Sequence, residues 1–425
     1  MPRRRVDHRS FERASSAYRR ADWNRSPATH GARYPLRQPT HRRVIRRLVR
    51  SIPIVVILLF AWRIGATFLQ SREQRMWYAC EKVYEERQAD RVDTIEEFRA
   101  LYPESAHAAD AAYYYAVLAH DAKGCAAVDE AWQVTLTRGT PERKLEAVMS
   151  LGECANKAGD AALAVDYYGQ ALELNLATQG TVEAVYRAGA LSEQQGDVTN
   201  AIAYYRAVWE LPEATRKQRI DVARGLTRIQ LGALSANPPR HVVRRDETLW
   251  SIANKAGVAM RDLLRANLDL ANPNVVEVGV TLNIPIRDIS LVVSVAGRMI
   301  YLLHEGAVVC PFPVVLGADD TPTPEGNLSV VSKEFARARL ISIADSVVGG
   351  PAGLGAGWFG LSRVGYGIHG GSTEEELLEG STHGAIRLVD SAIESLGDFV
   401  TPGTPVTIVA EAPEIEWKAL PVDLR

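Results

Sequence analysis

Ser381-Thr382-His383-Gly384-Ala385-Ile386-Arg387-Leu388 is the stretch on which the reading of this chain turns. Upstream of it stands a second glycine-flanked histidine, in Gly365-Tyr366-Gly367-Ile368-His369-Gly370. The sequence around both is rich in strand patterns. Leu291 to Val295 and Met299 to Leu303 flank Ala296-Gly297-Arg298, a hairpin signal. A turn at His304-Glu305-Gly306 leads into 307–316, followed by the rigid, turn-rich run Gly317-Ala318-Asp319-Asp320-Thr321-Pro322-Thr323-Pro324-Glu325-Gly326. Pro402-Gly403-Thr404-Pro405-Val406-Thr407-Ile408 reads as a closing strand.

In this order and spacing the Thr-Pro-Thr-Pro-x-Gly, Ile-His-Gly and Thr-His-Gly-x-Ile-Arg segments resemble the YkuD-type L,D-transpeptidase catalytic domain over 289–410. The resemblance implies a mainly β, sandwich-like fold with its active site under a loop, and no metal or cofactor. It implies acyl transfer through a cysteine thioester: a thiolate attacks a stem-peptide amide before D-alanine, and an amine from a second stem resolves the thioester. Carried onto this chain, His369 is the base, and His383 and Gly384 shape the nucleophile loop. Arg387 anchors that loop or a substrate carboxylate, and Gly370 and Thr382 stand at substrate-binding positions. The nucleophile position itself is Ala385, and a methyl group cannot attack a carbonyl. Loss of a nucleophile costs on the order of 10⁶ in rate in the subtilisin triad. Cys310 is no obvious substitute, because it alternates with Val308, Phe312 and Val314 as on one buried strand face. Ser381 and Thr382 carry hydroxyls that need far stronger activation than a thiol.

Before this domain, 240–286 form a compact strand–helix–helix–strand pattern. It opens with His241-Val242-Val243, passes Asp246-Glu247-Thr248-Leu249, Leu263-Leu264 and Asn267, and closes on Gly279-Val280-Thr281-Leu282-Asn283-Ile284-Pro285. This unit resembles a LysM domain, which implies binding of N-acetylglucosamine-containing glycans such as peptidoglycan. Thr248, Leu249 and Asn267 fall where the glycan face is expected. The usual turn glycine is replaced by Asp246, a residue that tolerates turn geometry better than most.

Residues 76–235 are helical in pattern. Gly159-Asp160, Ala164, Tyr167 and Tyr168 recur 37 residues later as Gly196-Asp197, Ala201, Tyr204 and Tyr205, and Gly152 recurs as Gly189. Small residues let helices approach while the aromatics fill the gap beside them. The pattern resembles tetratricopeptide repeats with a slightly long period, with a weaker third unit at 98–139. It is read either as a protein-binding surface or as a helical spacer.

The first fifty residues form a basic, arginine-rich arm, although the whole chain balances 49 Lys and Arg against 51 Asp and Glu. Such an arm implies nucleic acid or a membrane flank. The apolar stretch 51–70 decides for a membrane over nucleic acid. As a helix at about 1.5 Å per residue, this stretch spans roughly 30 Å, close to a bilayer core. Arg63 lies near its distal end, where a long side chain snorkels to the headgroups. The expected organisation is a cytoplasmic arm (1–50), one transmembrane helix (51–70), extracytoplasmic helical repeats (76–235), LysM module (240–286), transpeptidase-like domain (289–410) and tail (411–425). Four cysteines then face an oxidising space. Their spacing fits no metal motif; Cys125 and Cys154 either pair or are small buried side chains. Three functions follow: a non-catalytic peptidoglycan-binding protein, a working L,D-transpeptidase whose cysteine was lost, or a structural membrane scaffold.

Overall fold

The computed structural model describes residues 41–236, 238–270, 276–335, 353–412 and 416–418, and for 41–55 it defines the helix alone. The chain divides at Ser71 into two units. The first holds the N-terminal part of helix α1 (His41–Glu85), with Ile57, Leu58, Phe60, Trp62 and Phe68 exposed; the last turns of that helix, with Trp77, Cys80 and Val83, belong to the second. Among the described residues, no helix is long and apolar enough to cross a membrane. The expected span begins among residues whose side chains lie outside that description, as does the basic arm before His41.

The second unit begins with antiparallel helices. Helices α2 (Asp93–Leu101), α3 (Ala108–Lys123) and α4 (Cys125–Arg138) pack around Ile95, Phe98, Ala112 and Trp132. The next two hairpins are α5 (Pro141–Lys157) with α6 (Ala161–Gly169), and α7 (Gln179–Gln194) with α8 (Val198–Glu210). They repeat each other in detail. Both turns pass through a positive-φ glycine, Gly159 and Gly196, and both next helices are capped by an aspartate. Asp160 accepts from the Leu163 N–H, and Asp197 from the Asn200 N–H. A Cβ on Gly152 would lie 2.6 Å from the Tyr168 ring, and one on Gly189 2.8 Å from Tyr205. The paired small residues and tyrosines are therefore the contact that sets the helix spacing.

Cys125 and Cys154 form a disulfide between α4 and α5. The reading of cysteines as small buried side chains fits Cys80 and Cys310 instead, which are free and buried. A bridge closing a loop of this length contributes about 3–4 kcal/mol in the chain-entropy account.

Helix α9 (Arg216–Ala236) ends the helical array and also covers the sheet domain. Its Leu231 and Leu234 join the sheet core with Leu291, Phe312 and Ile408. Each such side chain contributes roughly 1.5–3 kcal/mol by burial. The LysM-like module follows as strand β1 (Arg240–Val242), helices α10 (Leu249–Ala256) and α11 (Met260–Arg265), and strand β2 (Thr281–Asn283). The two strands pair antiparallel, and Leu249, Ile252, Leu263 and Leu282 fill a small core of their own.

The sheet domain comprises β3 (Ile289–Ser294), β4 (Met299–His304), β5 (Ala307–Pro313), β6 (Gly326–Glu334), β7 (Trp358–Leu361), β8 (Gly367–His369), helix α12 (Glu374–Glu379), β9 (Ile386–Arg387), helix α13 (Asp390–Gly397) and β10 (Pro405–Val409). Its strands form one eight-stranded sheet in the order β5-β4-β3-β10-β6-β7-β8-β9. The segment after β5 bridges back to β9 through Val315 and Arg387, so the sheet curls until its two ends meet. This differs from the expected sandwich: a single rolled sheet encloses the core. Both faces of β5 are buried, because α9 lies on one of them. Cys310, Val308, Phe312 and Val314 are buried, but so are Val309, Pro311 and Pro313 between them. The segment 336–352 lies outside the described residues.

Candidate active site and glycan-binding face

The curl of the sheet brings the two histidine motifs together. Strands β8 and β9 pair in parallel, with Ile368 opposite Ile386 and His369 opposite Arg387. The Leu388 N–H donates to the His369 carbonyl at 2.8 Å. On the other side, Val315 and Arg387 exchange backbone bonds of 2.8 and 2.9 Å, and the Thr382 N–H donates to Leu316 O. The loop 382–385 is thus held from both flanks. Within it the Thr382 hydroxyl donates to the Ala385 carbonyl at 2.6 Å. Gly384 has φ +99°, a conformation that side-chain-bearing residues avoid, and a Cβ there would press within 3.2 Å of Tyr366. His383 and Ser381 are exposed.

His369 is buried, and its Nδ1 lies 2.7 Å from the Gly370 carbonyl. A carbonyl only accepts, so Nδ1 carries the proton and Nε2 presents a lone pair. Burial pushes the imidazole pKa down to about 4; the Arg387 charge lowers it further, and the Gly370 bond opposes the shift. The ring is therefore neutral near pH 7, the state a general base needs. Arg387 donates from Nη2 to Glu376 Oε1 at 2.8 Å, while its buried Nε has no partner among the described residues. The Thr373 N–H, and after it Arg387, hold the Glu376 carboxyl below its usual range.

Two carboxylates missing from the sequence reading complete the frame. Asp390 Oδ1 accepts from the N–H groups of Ala356 and Gly371, both at 2.8 Å, which fixes the turn after His369. A Cβ on Gly370 would strike that same oxygen at 2.4 Å. Glu376 sits in a capping box with Thr373 and reaches Arg387 from there. The Thr373-x-x-Glu376 spacing was visible in sequence as a helix start; its role toward Arg387 was not. Ala385 is buried, and its methyl carries no nucleophilic atom. Cys310 is fully buried within the sheet, and burial drives its thiol pKa far up. The Thr382 hydroxyl is already engaged with Ala385 O.

A cleft of about 1140 Å³ separates the small module from the sheet domain, lined among others by Arg265, Arg287, Lys333 and Phe335. His369, Ala385 and Arg387 do not line it, so this cleft is not where the motif residues meet.

The small module places its signature residues differently. Leu249 is buried in the module core. The Thr248 hydroxyl accepts from Ser251 N–H as the cap of α10, in a reciprocal capping box. The Asn267 amide donates to Leu263 O at 2.8 Å and Asn283 O at 2.7 Å, and accepts from Asn283 N–H at 2.7 Å. Asn267 is thus a clamp between α11 and β2. Among the described residues of the module, the large apolar side chains presented to solvent are Val242, Trp250, Leu268 and Val278. Asp246 takes the left-handed conformation, φ +68°, in place of the usual glycine. Glu247 secures that turn, accepting from Arg244 N–H at 2.9 Å beside His241 at 2.6 Å.

The L,D-transpeptidase catalytic domain (YkuD) family description matches residues 288–408, and the LysM domain description matches 241–285. The putative L,D-transpeptidase YkuD of Bacillus licheniformis is 31% identical over 172 residues, covering 39% of this chain and 96% of that protein. The chain belongs to the YkuD-type L,D-transpeptidase family. Its counterpart in Bacillus subtilis is 28% identical, with the same shares covered. Among solved structures, an L,D-transpeptidase from Mycobacterium smegmatis is 21% identical with a TM-score of 0.25, covering 32% of this chain and 65% of that one. L,D-transpeptidase 1 of Mycobacterium tuberculosis is 23% identical with a TM-score of 0.22, covering 29% and 61%. A LysM module joined to a YkuD-type L,D-transpeptidase domain supports a role in peptidoglycan binding and cell-wall remodelling.

Proposed function

We propose that this chain is a membrane-anchored, non-acylating member of its family, which holds peptidoglycan stem peptides without cutting or joining them. In this reading Ala385 stands at the position of the family's cysteine. One observation supports it: neutral His369, paired Arg387 and positive-φ Gly384 stand on the strands and loop that flank residue 385, while residue 385 itself is a methyl. The neutral imidazole offers an acceptor, and the paired strand places the Arg387 charge beside it, for a peptide amide or carboxylate. The LysM module holds glycan, and the exposed Trp250 is an aromatic side chain suited to stacking on a sugar ring.

The exposed apolar side chains of α1 between Ile57 and Phe68 support a single membrane span, with the basic arm on the cytoplasmic side and the rest extracytoplasmic. The disulfide fits that side of the membrane. The helical hairpins act as tetratricopeptide-like repeats, a platform for a protein partner. The test is twofold. The full chain should sediment with purified sacculi and lose that property when 240–286 are deleted. Muropeptide profiles of cells with and without the chain should show unchanged crosslinks between two third-position residues. A loss of those crosslinks on deletion would restore the acylating reading.

A further inference from the structure

Arg216, at the start of α9, is largely buried, and among the described residues no carboxylate pairs with it. Its guanidinium donates instead to backbone carbonyls of the sheet domain: Gly297 O at 2.9 Å, Arg298 O at 3.2 Å, Val314 O at 3.3 Å and Leu377 O at 3.1 and 3.3 Å. Burial, with the neighbouring Arg298, lowers its pKa to about 10, so it stays charged at neutral pH. Arg298 in turn donates to Leu378 O and Gly380 O. About two turns further along α9, Arg224 pairs with Glu374. All three arginines therefore bear on α12 and its exit, residues 374–380, or on the strands beside it. That segment leads directly into the 381–385 loop and carries Glu376, which holds Arg387.

We propose that Arg216 is a positioning residue for the site: by anchoring 377–380 to α9, it makes the helical array a structural part of the 381–387 loop. The physical argument is one of stakes. A buried charged donor set satisfied only by carbonyls is costly to break, because each lost hydrogen bond to a charged group leaves desolvated atoms unpaired. The α9–α12 joint is then rigid, and a partner that tilts α9 moves Glu376 and Arg387 with it. The inference rests on the proposed function only in taking Arg387 as a site residue.

The experiment is hydrogen exchange on the full chain carrying Arg216→Met. Amides of 377–388 should exchange at least tenfold faster, while those of β3, β4 and β10 stay as before. A second readout uses the Ala385→Cys background, where a thiol beside His369 should alkylate faster than a free cysteine. Arg216→Met should abolish that excess, and Arg216→Lys should recover part of it. Should Arg216→Met fail to fold, Arg224→Glu reports on the same joint at the surface, with loosening of 377–388 reversed by adding Glu374→Arg. Unchanged exchange at 377–388, or acceleration spread evenly over the chain, overturns the proposal. An ordinary thiol in Ala385→Cys with Arg216 intact counts against the proposed function instead, and the exchange result still decides the clamp.

Discussion

In the LysM module the signature asparagine, Asn267, commits its whole amide to holding α11 against β2, and Leu249 is buried beneath. In the sheet domain the signature histidine ties Nδ1 to Gly370, and Arg387 ties Nη2 to Glu376, while among the described residues the His369 Nε2 and the buried Arg387 Nε have no partner. The first set of motif residues builds a scaffold whose binding surface lies on other side chains. The second builds a frame in which the motif residues keep hydrogen-bonding capacity beyond what the frame uses. A motif therefore locates a module in both cases, but locates the chemistry only where polar atoms are left over after the frame has been satisfied.

This contrast makes unequal demands on single substitutions. Asn267→Ala removes three internal hydrogen bonds and strands the backbone groups of Asn283, so the module should lose about 3 kcal/mol or more. Sugar affinity of the molecules that remain folded should be unchanged. Denaturant melts of the module signal, followed by sacculus binding below the transition, would separate the two; a binding defect with normal stability would put Asn267 back on the glycan face.

Nearly as large an effect is expected from pH. His369 is buried and neutral when folded, with a pKa near 4 against about 6.5 in the unfolded chain. Between those values the unfolded state binds more protons, so stability rises with pH across that window. It is fully present above about 6.5 and falls as the pH drops toward 4, by an upper bound of about 3 kcal/mol. His369→Gln retains a donor for Gly370 and cannot titrate. Melts at pH 7.5 and 4.5 should show the parent losing more than the variant, and equal losses would mean that His369 is not neutral and buried as described.

Smaller effects sharpen the other side of the comparison. Trp250→Ala should leave module stability within roughly 0.5 kcal/mol, as for most surface changes, yet weaken sacculus binding about tenfold, or ~1.4 kcal/mol. Unaltered binding would move the glycan face away from Trp250. Asp246→Gly relieves a left-handed non-glycine residue and should raise module stability by ~0.5 kcal/mol, the gain being trimmed by the greater freedom of glycine when unfolded. Calorimetry of the two proteins checks the sign.

Much of this was legible in the sequence because it is written locally. The 37-residue echo of Gly152 and Tyr168 in Gly189 and Tyr205 is a contact repeated along the chain, and the structure joins these residues as expected. The order of the Thr-Pro, Ile-His-Gly and Thr-His-Gly segments was enough to bring them to one place. The docking of α9 on the sheet was not legible, since Arg216 binds carbonyls, which every residue has, and so leaves no partner signature. The same holds for the tail. Trp417 bridges to Val308 and packs edge-on against Trp209, with Arg206 stacked over it, and these residues are far apart in the chain. The pairing of Cys125 with Cys154 needed the angle between α4 and α5, and the strand reading of Cys310 missed the helix that covers its outer face. An isolated 289–410 fragment would therefore expose the surface that α9 covers, and experiments on the site call for the chain from the helical array onward.

The central claim is that a complete YkuD-type frame surrounds a residue that cannot be acylated. Intact-mass spectrometry after incubation with a carbapenem tests it most directly, on the full chain and on Ala385→Cys. The account predicts no adduct on the natural chain and a single adduct at position 385 in the variant, lost on alkylating that thiol beforehand. An adduct on the natural chain, at Cys310, Ser381 or Thr382, would contradict it.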